Sequence, residues 1–556
     1  MSAQELITDH LDLWTGAVTK KSTSGRGSNG KIELIGIKKL RELILELAVR
    51  GKLVEQDPSE EPAHLILERL DSTVKKSRGK SRASCGTSQP SLPTGWASFR
   101  VGDHLDFQYG KSLPAKQRDD SGSIEVYGSN GVVGFHTLAL TEEPCIVVGR
   151  KGSAGALNKA LGPSWTTDVA YYIQPRQGFD FEFTYLLLQS LHLDQLGKGI
   201  KPGVNRNEAY ALSACLPPLE EQHRIVQKVD ELMALCDRLE QQTSDQLEAH
   251  ELLVDTLLGT LTQSENAAEL ADNWARLAAH FDTLFTTEQS IDKLKQTILQ
   301  LAVMGRLVEQ DAGDEPATEL LKSIQAEKDL LSLSSKQRKT KPLAPISESE
   351  VPFSLPSGWV LSRLDDITDI QGGIAKGKKV SGKRTRSLPY LRVANVQRAL
   401  LDLSEIKEIE IADDEVERYL VNRRDLLITE GGDWDKVGRT AIWDGSIEPM
   451  AHQNHVFRAR LILDEQNERW LERYLNSQFA RNYFASSSKQ TTNLASINKT
   501  QLRSCTVPLP PLEEQKRIVQ KVDELMALCD QLKERLNQAS ETRCQLAEAL
   551  VEQAIS

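Results

Sequence analysis

The chain has little that would tie it to a membrane, a metal or an oxidising compartment. Its 556 residues include seven cysteines, scattered with no CxxC pair and no regular spacing. That disfavours both a zinc site and a disulfide framework, and fits a reducing cytosol. No uninterrupted apolar stretch approaches the ~20 residues that a membrane span requires. Met1–Lys20 lacks the basic start and following apolar run of a secretory signal. The expectation is a soluble, cytoplasmic protein. There is no G-x-x-x-x-G-K-[ST], hence no loop of that kind for a triphosphate. Gly128/Gly131/Gly134 and Gly149/Gly152/Gly155 make only G-x-x-G-x-x-G, which is not the dinucleotide spacing and reads as structural turns. Strong positive charge is missing too: the formal net charge is −11, which argues against wholesale nucleic-acid coating.

What the chain does have is repetition. PPLEEQHRIVQKVDELMALCDRL at Pro217–Leu239 returns as PPLEEQKRIVQKVDELMALCDQL at Pro510–Leu532, differing only at His223/Lys516 and Arg238/Gln531. Ile37–Asp57 is matched by Ile291–Asp311, each ending in LVEQD, and SLPTGW at Ser91–Trp96 by SLPSGW at Ser354–Trp359. A unit this long, present twice, is no solenoid. The length itself suggests roughly three to five domains. The polar, basic stretches Lys75–Pro90 and Ser332–Pro352 read as linkers, as does Lys20–Gly30. The resulting division is 1–90, 91–216, 217–353, 354–509 and 510–556.

After each SLPxGW comes a block whose β-branched and aromatic runs, bounded by Gly, Asp and Pro, predict strands. These are Ile124–Gly128, Cys145–Gly155 and Val169–Pro175 in the first block, and Leu388–Val396, Asp425–Trp434 and His455–Leu463 in the second. Helices are expected at Phe183–Leu196 and Glu468–Phe484, so both blocks are α/β. CIVVGRKGSAGAL resembles LLITEGGDWDKVGRTAI, and TTDVAYYI aligns with HQNHVFRA, setting Asp168 opposite Asn454. The blocks have diverged where the supports have not. Ala97–Cys215 carries about −1 and Val360–Val507 about +2, leaving roughly −12 on the remainder, so the acid lies on the repeats.

The second PPLEEQ helix shows a seam at Ile518, Val522, Leu525, Cys529, Leu532, Leu536, Ala539, Arg543, Leu546 and Leu550, which predicts a coiled coil. The first keeps that phase through Ile225, Val229, Leu232, Cys236 and Leu239, and regains it at Leu253 and Leu257. The proline pairs break the preceding strand and the glutamates suit a helix start. Helix from Glu220 to Leu261 would run roughly 60 Å. The middle LVEQD helix follows a PPLEEQ helix, but the N-terminal one has no such predecessor. The order of parts is completed if Glu513–Glu552 packs against Ile37–Gln56.

The order TGW, divergent block, PLPPLEEQxRIVxKVDELMALCD, then LxLAVxGxLVEQD resembles the DNA-specificity subunit of type I restriction-modification systems across nearly the whole chain. The resemblance implies a mixed α/β fold, with two target recognition domains joined by long antiparallel coiled-coil helices in a pseudo-twofold circular arrangement. Each recognition domain would read one half of a bipartite, asymmetric site on double-stranded DNA. The helices would set the spacer and dock two modification (adenine methyltransferase) subunits, with restriction (translocase/endonuclease) subunits joining them. S-adenosylmethionine, ATP and Mg2+ would belong to those partners, and this chain would bind no cofactor. It shows no Asn-Pro-Pro-aromatic motif for adenine methylation. Glu405-Ile406-Lys407 mimics the end of a nuclease motif without its upstream Pro-Asp, and His452 and His455 lack a third metal ligand. A coiled-coil scaffold whose heads bind protein is the alternative.

Candidate DNA contacts follow from residue chemistry: Arg or Lys on guanine, Asn or Gln on adenine, and cations, hydroxyls and backbone N–H groups on phosphate. In the first block these are Ser129, Asn130, Arg150, Lys151, Ser153, Lys198, Lys201 and Arg206. In the second they are Lys376, Lys378, Arg392, Asn395, Lys436, Arg439, Gln453 and Asn454, with Lys489, Gln490, Thr491 and Asn493 in the place of GKGIKPGVNR. Arg392 could equally be a strand residue in a structural ion pair. Trp96 and Trp359 are expected as core anchors rather than stacking platforms.

Overall fold

The computed structural model describes residues 3–20, 32–74, 92–119, 121–196, 203–265, 267–334, 342–375, 377, 384–432, 436–491 and 494–555. The chain forms two compact units, Met1–Leu247 with Gln538–Ser556, and Glu248–Asn537.

In the first unit the helix Ile35–Val49 presents Ile37, Leu40, Leu43, Ile44, Leu47 and Ala48 on one face, none more than 2% exposed. Each of these leucines and isoleucines contributes about 1.5–3 kcal/mol by leaving water. Gly51 ends the helix at φ +67°, and the Lys52 N–H closes the last turn on the Leu47 carbonyl at 3.0 Å. A β-carbon at Gly51 would lie 2.9 Å from Trp96 Cζ2, so the glycine also makes room for the indole. That indole N–H donates to Glu221 Oε1 at 3.0 Å. The long helix Leu219–Gln263 begins in this unit and buries Ile225, Val229, Leu232 and Cys236 beside the short one. Arg41 ties the two, 2.5 Å from Asp237 and 2.7 Å from Glu240. The end of the helix Leu512–Ile555 adds Ala547 and Val551 to the same core. Its Ser540 hydroxyl donates to the Val18 carbonyl at 2.7 Å, and Lys52 Nζ donates to the Ala554 carbonyl at 3.2 Å. The C-terminal helix therefore meets the Ile37–Gln56 region, the contact that the order of parts predicts.

The second unit repeats this construction. The helix Glu288–Val303 starts at a Thr287/Ser290 capping box and ends before Gly305, at φ +69°. A β-carbon there would lie 2.8 Å from Trp359 Cζ2, and the Trp359 indole N–H donates to Glu514 Oε2 at 3.0 Å. The start of Leu512–Ile555 and the end of Leu219–Gln263 flank it, through a Lys295–Asp530 ion pair and Lys293 at 2.8 Å from Glu251.

The seam departs from the heptad phase read in the sequence. Thr243 keeps the phase, but past it the buried positions are Val254, Leu258 and Leu261, while Leu253 is 50% exposed. Past Leu536 they are Ala547 and Val551, while Ala539, Arg543 and Leu546 face solvent. The slip is the same in both helices. A 3.5-residue repeat drifts against a 3.6-residue helix, and each half of each helix meets a different set of partners.

Both blocks carry the same strand plan. An antiparallel sheet of order Gln108–Tyr109, Ala170–Ile173, Cys145–Gly149, Leu157–Ala160 has its counterpart in Thr368–Gly372, Val456–Leu461, Leu426–Thr429, Thr440–Ile442. A second sheet pairs Ile124–Gly128 parallel with Ser164–Thr166, as Thr385–Leu391 pairs with Met450–His452. The first and last strands of each block pair antiparallel, Ala97 opposite Leu216 and Val360 opposite Leu509, so each block enters and leaves its support at one place. Two helix expectations need correction. The first block's helix is Phe181–Ser190, capped by Asp180 and followed by a separate 3-10 turn at Leu193–Leu196. The second is split into Glu468–Leu475 and Gln478–Ser487. Among the described residues no helix is long and apolar enough to cross a membrane.

Candidate nucleic-acid interface

In the first block the loop after the strand Cys145–Gly149 is the meeting point. Gly149 lies so close to the carbonyls of Ser129 and Ser153 that a β-carbon would fall 2.4 and 2.1 Å from them, which packs the Ser129–Asn130 turn onto the GRKGS loop. Lys151 bridges to Gly203, and the Val204 N–H donates to the Arg150 carbonyl at 2.9 Å. Arg206 follows at the start of the helix Arg206–Ala211, capped by Asn205. The fold thus brings Ser129, Asn130, Arg150, Lys151, Ser153 and Arg206 to one corner. Asn130, Lys151 and Ser153 are exposed there. Lys198 and Lys201 lie outside the described residues.

That corner holds a residue the sequence reading missed. Tyr109, 49% exposed, stands between two guanidiniums, Arg150 at 5.3 Å and Arg206 at 4.8 Å from its ring centroid. Arg206 also lies over Tyr210, and Tyr109 meets Tyr171 edge-on at 5.0 Å. The Arg150 side chain donates twice to the Asp168 carbonyl, from Nε at 3.1 Å and Nη2 at 2.5 Å, and its Nη1 has no protein partner among the described residues. Neither arginine is paired with a carboxylate among those residues, so the corner keeps two positive charges beside an exposed aromatic face. The Tyr171 hydroxyl is pushed up to about 12, by burial first and then by its hydrogen bond with Tyr109, against the pull of the two arginines. The available signal was an aromatic between Gln108 and Gly110 in an otherwise polar stretch.

The second block places the same backbone around different side chains. The Glu430 N–H donates to the His455 carbonyl at 2.9 Å and its carbonyl accepts from Ile497, just as Arg150 does with Val169 and Val204. Sheet register sets Tyr171 opposite Tyr109 and Phe457 opposite Gly372. Hence Arg150 corresponds to Glu430, Asp168 to Asn454, Tyr109 to Gly372 and Arg206 to Lys499. Lys499 was missed, although Val204-Asn205-Arg206 and Ile497-Asn498-Lys499 stand in the same register as the two PPLEEQ copies. Burial lowers the Lys499 pKa from its ordinary value. Among the described residues His455 Nδ1 lies 2.8 Å from Glu430 Oε2, and Asn454 Nδ2 lies 3.3 Å from His455 Nε2. Gly431 and Gly432 pair with Ser496 and Ala495, and that strand pairs with Lys489–Thr491. Gln453, Asn454, Lys436 and the backbone of Lys489, Gln490 and Thr491 therefore lie around the counterpart corner. Lys376, Lys378 and Asn493 lie outside the described residues.

Two further candidates, Arg392 and Asn395, share one turn. Asn395 is 2% exposed; its Oδ1 accepts from the Arg392 N–H at 2.9 Å, and its Nδ2 donates to the carbonyls of Asp402 and Glu405. Arg392 Nη2 pairs with Glu405 at 3.0 Å. Lys407 and Arg392 together hold the Glu405 carboxyl below the usual range. The turn uses the Asn395 amide and one Arg392 nitrogen, Nη2, while Arg392 Nε is buried without a partner among the described residues. Arg439 is half-buried and donates to Gln397. His452 is buried between the carbonyls of Tyr419 and Gln371, and burial pushes its imidazole down to about 4.

The family model described as the type I restriction modification DNA specificity domain matches this chain twice, over 93–249 and 356–541. The chain is 36% identical to the type I restriction enzyme EcoEI specificity subunit of Escherichia coli, with 100% of both chains covered. It is 37% identical to the EcoAI specificity subunit of Escherichia coli, again over 100% of both. A solved HsdS subunit from Thermoanaerobacter tengcongensis aligns with 84% of this chain and 97% of its own, at 19% identity and a TM-score of 0.39.

Proposed function

Because this chain belongs to the type I restriction-modification DNA specificity family, we propose that it is the non-catalytic, sequence-reading subunit of such a complex. Each block reads one half of a bipartite, asymmetric site. The long helices set the number of unread base pairs between the halves and dock two modification subunits. Methyl transfer with S-adenosylmethionine, and ATP- and Mg2+-dependent restriction, belong to the partner subunits in the cytoplasm.

The observation that carries this reading is the contrast between frame and face. Two supports keep the same tryptophan–glutamate clamp and the same helix-ending glycine. Two blocks keep the same strand plan and exchange the side chains at the equivalent corner, arginine for glutamate and tyrosine for glycine. A shared frame suits two copies of one partner, and unequal faces suit two unequal half-sites. The acid on the repeats agrees with this, since phosphate binding demands cations. The test is block exchange: Ala97–Cys215 is replaced by the corresponding block of another member, and methylated adenines are mapped by single-molecule sequencing. One half of the site should change and the other persist. A change in both halves, or in neither, would overturn the modular reading.

A further inference from the structure

We propose that the position held by Arg150 in the first block and Glu430 in the second faces a base edge and sets part of the difference between the two half-sites. Arg150 demands a guanine, and Glu430 takes a cytosine. This deepens the DNA-reading role and rests on it.

The two positions are structurally equivalent. Each residue leaves its central strand at the same point, with its N–H on the neighbouring strand's carbonyl and its own carbonyl held by the segment that opens the following helix. The backbone therefore presents both side chains from the same place on the same frame. A position facing phosphate must stay cationic or neutral, because a carboxylate there meets like charge. The position three residues into that segment behaves in this way, with Arg206 in one block and Lys499 in the other. The 150/430 position does not, since it reverses sign. Base edges differ in just this respect. Guanine offers the acceptors O6 and N7 to an arginine, whereas the cytosine amino group offers a donor to a carboxylate.

Local contacts supply the orientation. Arg150 is held by the Asp168 carbonyl and by Tyr109, which immobilises the guanidinium while leaving Nη1 to donate outward. Glu430 is held by His455 Nδ1 on Oε2. The exposed ring of Tyr109 is a positioning group for Arg150 and has no counterpart at Gly372.

The test uses the full chain co-purified with its modification partner and a pool of randomised duplexes, from which bound sequences are recovered and counted. Arg150→Ala should lose discrimination at one base pair of the first half only, by about 5- to 150-fold, leaving the second half unchanged. Arg150→Lys keeps the charge and the fold and should lose much of the same discrimination. Glu430→Gln should relax one base pair of the second half only. Arg206→Ala, in contrast, should weaken all sequences alike and reduce the salt slope by about one. If Arg150→Ala and Arg150→Lys leave every base preference intact, or weaken all sequences evenly, the position does not face a base edge and the proposal fails. If the unaltered complex recovers no preferred sequence, the DNA-reading role itself fails, whatever the variants do.

Discussion

Leu253 and Leu258 offer a sharp comparison, because they are the same residue type within two turns of one helix. A heptad continued from Leu239 puts Leu253 in the seam. The structure instead buries Leu258, 4% exposed, and leaves Leu253 50% exposed. Leu258 packs in a core with Val254, Leu261, Leu277, Leu284, Ile291, Leu294 and Ile298. Leu258→Ala removes buried methyl groups and leaves a cavity that rigid helices cannot collapse, a loss of about 2–5 kcal/mol. Leu253→Ala removes half-solvated surface and introduces a better helix former, so its effect should stay within about 0.5 kcal/mol. For a unit of this size each kcal/mol moves the melting midpoint by roughly 2–4 °C. Leu258→Ala should therefore melt roughly 5–15 °C earlier, and Leu253→Ala should melt with the parent. Urea unfolding should show a lower midpoint at unchanged m for the first variant alone. Equal losses from both variants, or the larger loss at Leu253, would refute the seam described here.

Two further predictions concern pH. Glu350 holds Arg363, whose side chain is 7% exposed, at 2.6 Å, and that hydrogen bond with the Ser347 N–H draws its carboxyl down to about 2. A depressed folded pKa stabilises above the ordinary value and loses that stabilisation as pH falls through the folded one, here between about 4.5 and 2. Glu350→Gln should lower stability at neutral pH by about 1–3 kcal/mol, less than a fully buried pair because Glu350 is partly solvated. The deficit should vanish toward pH 2 in acid titrations followed by circular dichroism. Glu514 behaves oppositely. Burial raises its pKa against the hydrogen bond from Trp359, and its Oε1 has no partner among the described residues. A raised carboxyl pKa costs stability as pH climbs from the ordinary value through the folded one. Glu514→Gln should match the parent in acid and exceed it as pH rises to neutrality, because the amide carries no charge that burial penalises. A variant less stable at neutral pH would count against this account of the clamp.

Much of the fold can be read in the residues alone, because it depends on local spacing. The strands at Ile124–Gly128 and Cys145–Gly149 stand where β-branched runs between turn residues predict them. The long helices start at their proline-glutamate boundaries, and Gly51 and Gly305 stop the short ones where a positive φ is required. The duplication itself needed no structure. Local spacing also pointed at GRKGS and at Arg206, since clustered cations among glycines are unusual in any environment.

Other features depend on which segments meet, and only the tertiary structure decides that. The seam shifts beyond Thr243 and Leu536 because its partners change, and no property of Leu253 or Leu546 announces their exposure. Asn395 and Arg392 have the chemistry of base readers, and only the structure joins Asn395 Nδ2 to the Asp402 carbonyl and Arg392 Nη2 to the Glu405 carbonyl. Tyr109 and Arg150 are 41 residues apart in the chain; a shared sheet and the segment ending at Arg206 bring them into contact. The correspondence of Arg150 with Glu430 is the clearest case. Side-chain identity hides it, because the two residues have opposite charge, while the hydrogen-bond pattern of the backbone around them reveals it.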